Sequence, residues 1–315
     1  MDGQQNLSLL AGTYETDNAV IRFRPRFPLT PGLKYRAEWK AENAASLVRI
    51  FGIPKPELAP TAFVVRIDPT TGLWPANHLR FYIHFSAPMS RGEAWRRLHL
   101  VDDSGKEVSL PFLEIEEELW DRAGKRLTVL FDPGRIKRGL IPHKDVGPAL
   151  IASRAYQLVI DRDWPDAAGN PLMREFRKAL QIVEEDRTPP VLDNWRVTAP
   201  APGTADALAI EFPEPLDAAL LERLIWVEDA SGHSLEGAIS LDRNETLWKF
   251  QPARSWKQGD YQIKVAMHME DLAGNRIGRR FDVDAFERVE MRLTTKTSVI
   301  PFRIPRAAAP ESPNR

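Results

Sequence analysis

The chain has 315 residues, 43% of them hydrophobic, with 43 Lys and Arg against 44 Asp and Glu and no cysteine. That length predicts two or three domains able to bury proper cores, and a formal charge of −1 gives no electrostatic reason to expect nucleic acid or an anionic membrane as the main partner. The missing thiols exclude disulfides and thiolate metal sites, and no apolar run approaches the roughly 20 residues that span a bilayer.

In chain order, the first expected strand carries Ile21, Phe23 and Pro25, and a second runs from Lys34 and Tyr35 to Trp39 after a Pro31-Gly32 turn. Pro54, Pro56 and Pro60 lead out of this segment, and Pro69 and Pro75 lead into the next. Proline cannot donate to a ladder and stiffens such joints, so boundaries are expected there. The next segment holds Phe85-Ser86-Ala87-Pro88-Met89, Arg97-Leu98 and Asp102-Asp103-Ser104-Gly105. It continues with strands in which Leu127, Val129 and Phe131, then Tyr156, Leu158 and Ile160, alternate with other residues, and it closes on Asp166-Ala167-Ala168-Gly169-Asn170. Period-two alternation is the mark of half-buried strands, and the Asp-, Ser- and Gly-rich turns suit tight hairpins.

The linker Asp186-Arg187-Thr188-Pro189-Pro190 opens a copy of the same order. Here stand Phe212-Pro213-Glu214-Pro215-Leu216, Arg223-Leu224, Glu228-Asp229-Ala230-Ser231-Gly232, Phe250-Gln251-Pro252, the strand Tyr261, Ile263, Val265, and Asp271-Leu272-Ala273-Gly274-Asn275. From the first Phe to the Gly of the acidic turn is 20 residues in both copies. Helix is expected only as short turns near Arg91–Arg96 and Ala218–Arg223. Repetition of this kind means stacked modules: a partial one over residues 1–65, one over 66–187, one over 188–292, and an extended segment and disordered tail over 293–315. The first lacks the opening strands and the Asp-x-Ala-Gly-Asn turn, so either sequence upstream or something else is expected to complete it.

The joint order Phe-x-x-Pro-Met/Leu, Asp-x-Ser-Gly, Phe-x-Pro, Tyr-x-Leu/Ile and Asp-x-Ala-Gly-Asn resembles the bacterial Ig-like domains of surface-layer proteins, adhesins and other exported bacterial proteins. The resemblance implies an all-β fold of tandem Ig-like β-sandwich modules and an extracytoplasmic setting, in the periplasm or at the cell surface. The first residues, Met1–Asn6, have neither the basic nor the apolar region of an export signal, so a signal is expected outside this sequence. The fold implies no single activity. The leading expectation is a non-enzymatic structural or interaction protein of the envelope that binds another protein, and the competing one is a carbohydrate-binding accessory protein.

Motifs for catalysis are absent: there is no Gly-x-Ser-x-Gly, His-Glu-x-x-His, Gly-x-x-x-x-Gly-Lys-Ser/Thr or Gly-x-Gly-x-x-Gly. The six histidines are scattered without metal spacing. Related adhesin repeats bind calcium at the acidic turn and linker, so the resemblance implies calcium on Asp163, Asp166, Asn170 and Asp186, oxygen donors of the kind the ion prefers. The alternative is that Asp166 and Asn170 only close an Asx turn. Between Phe131 and Tyr156 the second module carries an insertion, locally basic through Arg135, Lys137, Arg138, His143 and Lys144. It either recognises an anionic partner or balances nearby acids. Trp74 and Trp164, each beside a Pro, are the expected exposed aromatics for a partner or glycan. Ile300, Phe302 and Ile304 lie on one side of an extended segment, expected either as a last strand of the third module or as a strand donated elsewhere.

Overall fold

A computed structural model describes residues 9–17, 20–40, 45–54, 59–136, 147–279 and 297–306. The chain divides into two compact units, Met1–Ala59 and Pro60–Arg315.

The larger unit holds two complete sandwiches. In the second module one sheet has the order β5-β7-β10-β9, formed by Val64–Asp68, Arg80–Phe85, Arg126–Leu130 and Leu119–Trp120. The facing sheet has the order β6-β12-β11-β8, formed by Leu73–Pro75, Phe176–Val183, Ala155–Ile160 and Leu98–Asp102. The third module pairs β13-β14-β17-β16 (Arg196–Thr198, Leu208–Glu211, Leu247–Pro252, Gly237–Asp242) against β15-β18-β19 (Ile225–Asp229, Gly259–Ala266, Thr297–Ile304). Each sandwich has its own core, one built around Trp74, Phe81, Phe131 and Trp164 and the other around Trp248, Phe250, Trp256 and Ile263. The alternation expected from sequence is the reason: Leu127 and Val129 are fully buried while Arg126, Thr128 and Leu130 between them are only half-buried. Among the described residues helix is confined to single turns at Ala94–Arg97 (α1) and Pro133–Ile136 (α2), a 3-10 turn at Leu192–Asn194, and Ala218–Leu224 (α3), capped by the Asp217 carboxylate accepting from Leu220 N.

The strand pairing explains why scattered motif pieces travel together. Met89 bridges Asp166 in the second module and Leu216 bridges Asp271 in the third, so the Phe-x-x-Pro-Met/Leu segment is hydrogen-bonded to the Asp-x-Ala-Gly-Asn turn of its own module. In that turn the first Asp accepts backbone N–H groups two and four residues on, from Ala168 and Asn170 or from Ala273 and Asn275. Gly169 and Gly274 sit at φ 86° and 83°, where a side chain would be strained.

The smaller unit contains two hairpins, β1 (Gly12–Asp17) with β2 (Val20–Pro25) and β3 (Lys34–Trp39) with β4 (Leu47–Gly52). They reproduce the closing strands β16 to β19 of the third module. Gly12 faces Pro25 as Gly237 faces Pro252, and in both places the glycine lies against the Phe of the Phe-x-Pro motif, Phe23 or Phe250. Tyr35 stacks on Phe51 at 5.8 Å and 28°, as Tyr261 does on Phe302 at 5.4 Å and 20°. The Tyr hydroxyl returns to the backbone just upstream in every module: Tyr35 to Thr30, Tyr156 to Ile151, and Tyr261 to Lys257.

Candidate functional site at the joint of the complete modules

The second and third modules meet through a dense polar seam. Arg80 on β7 donates from Nε to Asp217 Oδ2 at 2.6 Å and from Nη2 to Glu270, while the Tyr82 hydroxyl donates to Asp217 at 2.8–2.9 Å. The two carboxylate side chains retain only 4% and 9% of their exposure, so Arg80 answers charges that water no longer reaches. Burial and the Asp217 charge both push the Tyr82 hydroxyl above its ordinary range, keeping it a neutral donor. Nearby, Thr70 donates through its N–H and hydroxyl to Glu245, and Leu79 N donates to the Leu272 carbonyl at 2.9 Å. His78, stacked on Trp74 at 4.3 Å, is held neutral by burial and the Arg80 charge, its pKa lowered to about 3.

Beside this seam the linker turns back onto the third module. Asn77 clamps Asp186, accepting from its N–H at 2.8 Å and donating to its carbonyl at 2.6 Å, and Asn275 Nδ2 donates to the same carbonyl at 3.1 Å. This brings carboxylate oxygens of Asp186, Glu214 and Asp271 within 4.8 Å of one another. Burial together with the Asp186 charge raises the pKa of Glu214 to about 7. Burial raises that of Asp271 to about 7 as well, with the Asp186 and Glu214 charges adding to it and its turn hydrogen bonds opposing it. Three hard oxygen donors in one place fit a calcium ion, which takes six to eight oxygens and completes its shell with carbonyls and water.

The expected ligand set is thereby redrawn. Asp186 is the shared member, but among the described residues it gathers with Glu214 and Asp271, not with Asp163, Asp166 and Asn170. Asp166 accepts from Ala168 N, Asn170 N and Asn170 Nδ2 just as Asp271 accepts from Ala273 N, Asn275 N and Asn275 Nδ2, so the turn itself does not separate the two acids. The difference is that Asp186 and Glu214 gather at Asp271, while Asp163 lies exposed in the loop before Asp166. The linker acid serves the turn of the module it enters, not the one it leaves. A departure from the repeat pointed there: Glu214 occupies the place of Ala87 in Phe-x-x-Pro.

Other expected sites move inward too. Trp74 and Trp164 are fully buried, Trp74 donating from Nε1 to the Thr71 carbonyl at 3.0 Å, so neither offers a ring to a partner or a sugar. Arg135 is buried and its guanidinium donates to the carbonyls of Ser109, Leu110, Gly147 and Pro148 at 2.5–3.1 Å, so its charge is spent on backbone rather than displayed. Lys137, Arg138, His143 and Lys144 lie outside the described residues. Ile300, Phe302 and Ile304 belong to β19, antiparallel to β18, with Ile304 fully buried and the others half-buried, so the segment is the last strand of its own module. His99 shows a different pattern: burial alone lowers its pKa, but hydrogen bonds to Glu107 at 2.6 Å and Asp161 at 3.3 Å outweigh it, and the net shift is upward.

No protein-family model and no curated protein sequence matches this chain. Among solved structures it is similar to an Escherichia coli alpha-2-macroglobulin fragment spanning domains MG0-NIE-MG1, at 9% identity and TM-score 0.25 over 77% of this chain and 71% of that one. It is similar also to the S-layer protein rSbsC(31-844), at 12% identity and TM-score 0.26 over 65% of this chain and 23% of that one. A third likeness is to tandem Ig repeats of Dlar, at 14% identity and TM-score 0.22 over 67% and 94%. At TM-scores of this size the likenesses bear on neither activity nor partner, and the sandwich assignment stands on the strand pairing described above.

Proposed function

We propose that the chain is a non-enzymatic structural and interaction protein of the bacterial envelope, working outside the cytoplasm and binding another protein through its Ig-like modules. The observation that carries this is the seam of Arg80, Tyr82, Asp217 and Glu270, which commits buried charge to holding two complete modules together. Fixing two sandwiches in one orientation suits a scaffold that presents surfaces to a partner. The motif order that resembles surface-layer and adhesin modules supports the envelope setting. Carbohydrate binding, the competing reading, loses the two tryptophans on which it rested, because both are core residues.

Within this reading, the joint of Asp186, Glu214 and Asp271 is the place for calcium. An ion there would neutralise the mutual repulsion of these acids and lock the linker to the third module. The test of the main reading is fractionation of the native source followed by cross-linking. Recovery from the periplasmic or surface fraction in a stoichiometric complex with one protein is the expected result. Recovery from the cytoplasm as an uncomplexed chain would remove the proposal. Calcium has its own readout: the melting temperature should climb with the logarithm of free ion, and Asp271→Asn should abolish the climb.

A further inference from the structure

The turn that joins β16 to β17 in the third module departs from its counterpart in the second. Between β9 and β10 the turn Asp121–Lys125 places a single residue, Gly124 at φ 67°, in the left-handed region. Between Asp242 and Leu247, which face each other across the later hairpin, Arg243, Asn244 and Glu245 stand there in succession, at φ 50°, 56° and 62°. Among the described residues this is the one run of successive left-handed residues. Asparagine tolerates that region, but arginine and glutamate carry a Cβ that crowds the following carbonyl. A hairpin turn with two left-handed centres ordinarily has glycine at the second, and here glutamate fills that place. The contacts that favour this conformation lie across the joint. Glu245, 4% exposed, accepts from Thr70 N at 2.9–3.0 Å and from the Thr70 hydroxyl at 2.8 Å, and Asn244 Oδ1 stands 3.3 Å from the same hydroxyl. Lys178 Nζ donates to the Thr70 carbonyl at 2.8 Å, so every polar group of Thr70 is engaged.

We propose that this turn is a conformational latch: Thr70 holds Arg243–Glu245 left-handed while the second and third modules are joined, and the turn relaxes to ordinary backbone when they part. A strained backbone persists only where its surroundings over-determine it, and the grip of Glu245 on Thr70 supplies that determination from the neighbouring module. The strain works against those bonds, so this edge of the joint gives way at lower cost than its contacts alone would set. The latch goes beyond the scaffold reading, which needs the joined position alone, and gives that position a built-in release.

Position 243 isolates the backbone. Arg243 pairs with Glu211 at 2.8 Å on the exposed surface, so Arg243→Ala removes that pair and keeps the strain, whereas Arg243→Gly removes both. Native-state hydrogen exchange on the full chain reads the amides of Thr70 and Leu79, which bond across the joint to Glu245 and to the Leu272 carbonyl. Arg243→Gly should slow both roughly twofold to tenfold relative to Arg243→Ala, the left-handed freedom of glycine less the entropy it loses on ordering. Slowing confined to the core strand Tyr261–Val265 would overturn the proposal, because the strain then belongs to the hairpin whether the modules are joined or parted. So would cross-joint amides that exchange no faster than that strand in the parent chain, because the joint then has no parted position. Glu245→Ala gives a second readout by deleting the carboxylate that Thr70 holds. Residues 243 and 244 should then lose the strong intraresidue amide-to-Hα Overhauser effect that marks positive φ in the parent. Its retention in the variant would show that the hairpin sets its own turn, and the latch would be refuted.

Discussion

Replacing Arg80 with Met keeps the length and packing of the side chain and deletes its charge. Two carboxylates, Asp217 and Glu270, would then face a largely dry joint, their side chains 4% and 9% exposed. Breaking a buried ion pair by removing one partner costs about 3–5 kcal/mol. The lower end applies here, because Glu270 keeps Arg276 Nε at 2.9 Å and Asp217 keeps the Tyr82 hydroxyl and its helix cap at Leu220 N. The expected loss is thus about 3 kcal/mol, read by urea unfolding followed by tryptophan fluorescence, each core holding its own tryptophans. Because the seam is what couples the two sandwiches, the variant should also unfold in two resolved steps where the parent unfolds in one. Adding Asp217→Asn and Glu270→Gln to Arg80→Met should restore most of the stability, since no buried charge is then left alone and Asn still caps a helix. A single transition with a loss under about 1 kcal/mol, as for a surface ion pair, would refute the claim that this network fixes the joint.

Glu214 and Asp271, raised from ordinary values of 4.5 and 3.8 to about 7, hold protons in the folded chain that the unfolded chain has released. Their contribution is whole below about pH 4 and is lost as pH rises to about 7; urea stability without calcium should fall across that window, and Glu214→Gln with Asp271→Asn should flatten the slope. Asp166→Ala should cost about 1–2 kcal/mol through its lost turn bonds yet leave any calcium-dependent melting shift intact, which separates the turn from the metal joint in a single calorimetric comparison. Gly12→Ala and Gly237→Ala should both destabilise their own modules, measured by local hydrogen exchange, because a Cβ at either place runs into the Phe ring and strand carbonyl across from it. Trp164→Ala should lower stability by about 3–5 kcal/mol as a core truncation, with equilibrium unfolding as the check.

The fold was legible because its signals are local and repeated. Period-two strands such as Leu127-Val129-Phe131 and Asx turns such as Asp102-Asp103-Ser104-Gly105 declare themselves over a few residues, and the second copy confirms the first. The two hairpins of the first unit were legible for the same reason: Phe23-x-Pro25 and Tyr35 could be laid on Phe250-x-Pro252 and Tyr261. The site was only half legible. Asp186 stands out in the sequence as an acid in a linker, but the acids it gathers with depend on which way the linker folds, and that is decided by Asn77, 109 residues away in sequence. Trp74 and Trp164 were misplaced because a neighbouring Pro marks a loop, and a loop's aromatic can still be the plug of a sandwich core. Arg135 misled similarly: its charge is visible in sequence, while the carbonyls that bury it are gathered from Ser109, Leu110, Gly147 and Pro148 by the fold.

The measurement that bears most directly on the architecture is native-state hydrogen exchange on the free, monomeric chain, comparing equivalent strands in the first unit and the third module. Leu247–Phe250 and Tyr261–Val265, paired on both edges, should exchange only through opening of the whole module. Val20–Phe23 and Tyr35–Trp39, in the same register but paired on one edge among the described strands, should exchange orders of magnitude faster. Equal, slow exchange at both sets in the monomer would contradict the one-edge pairing of β2 and β3.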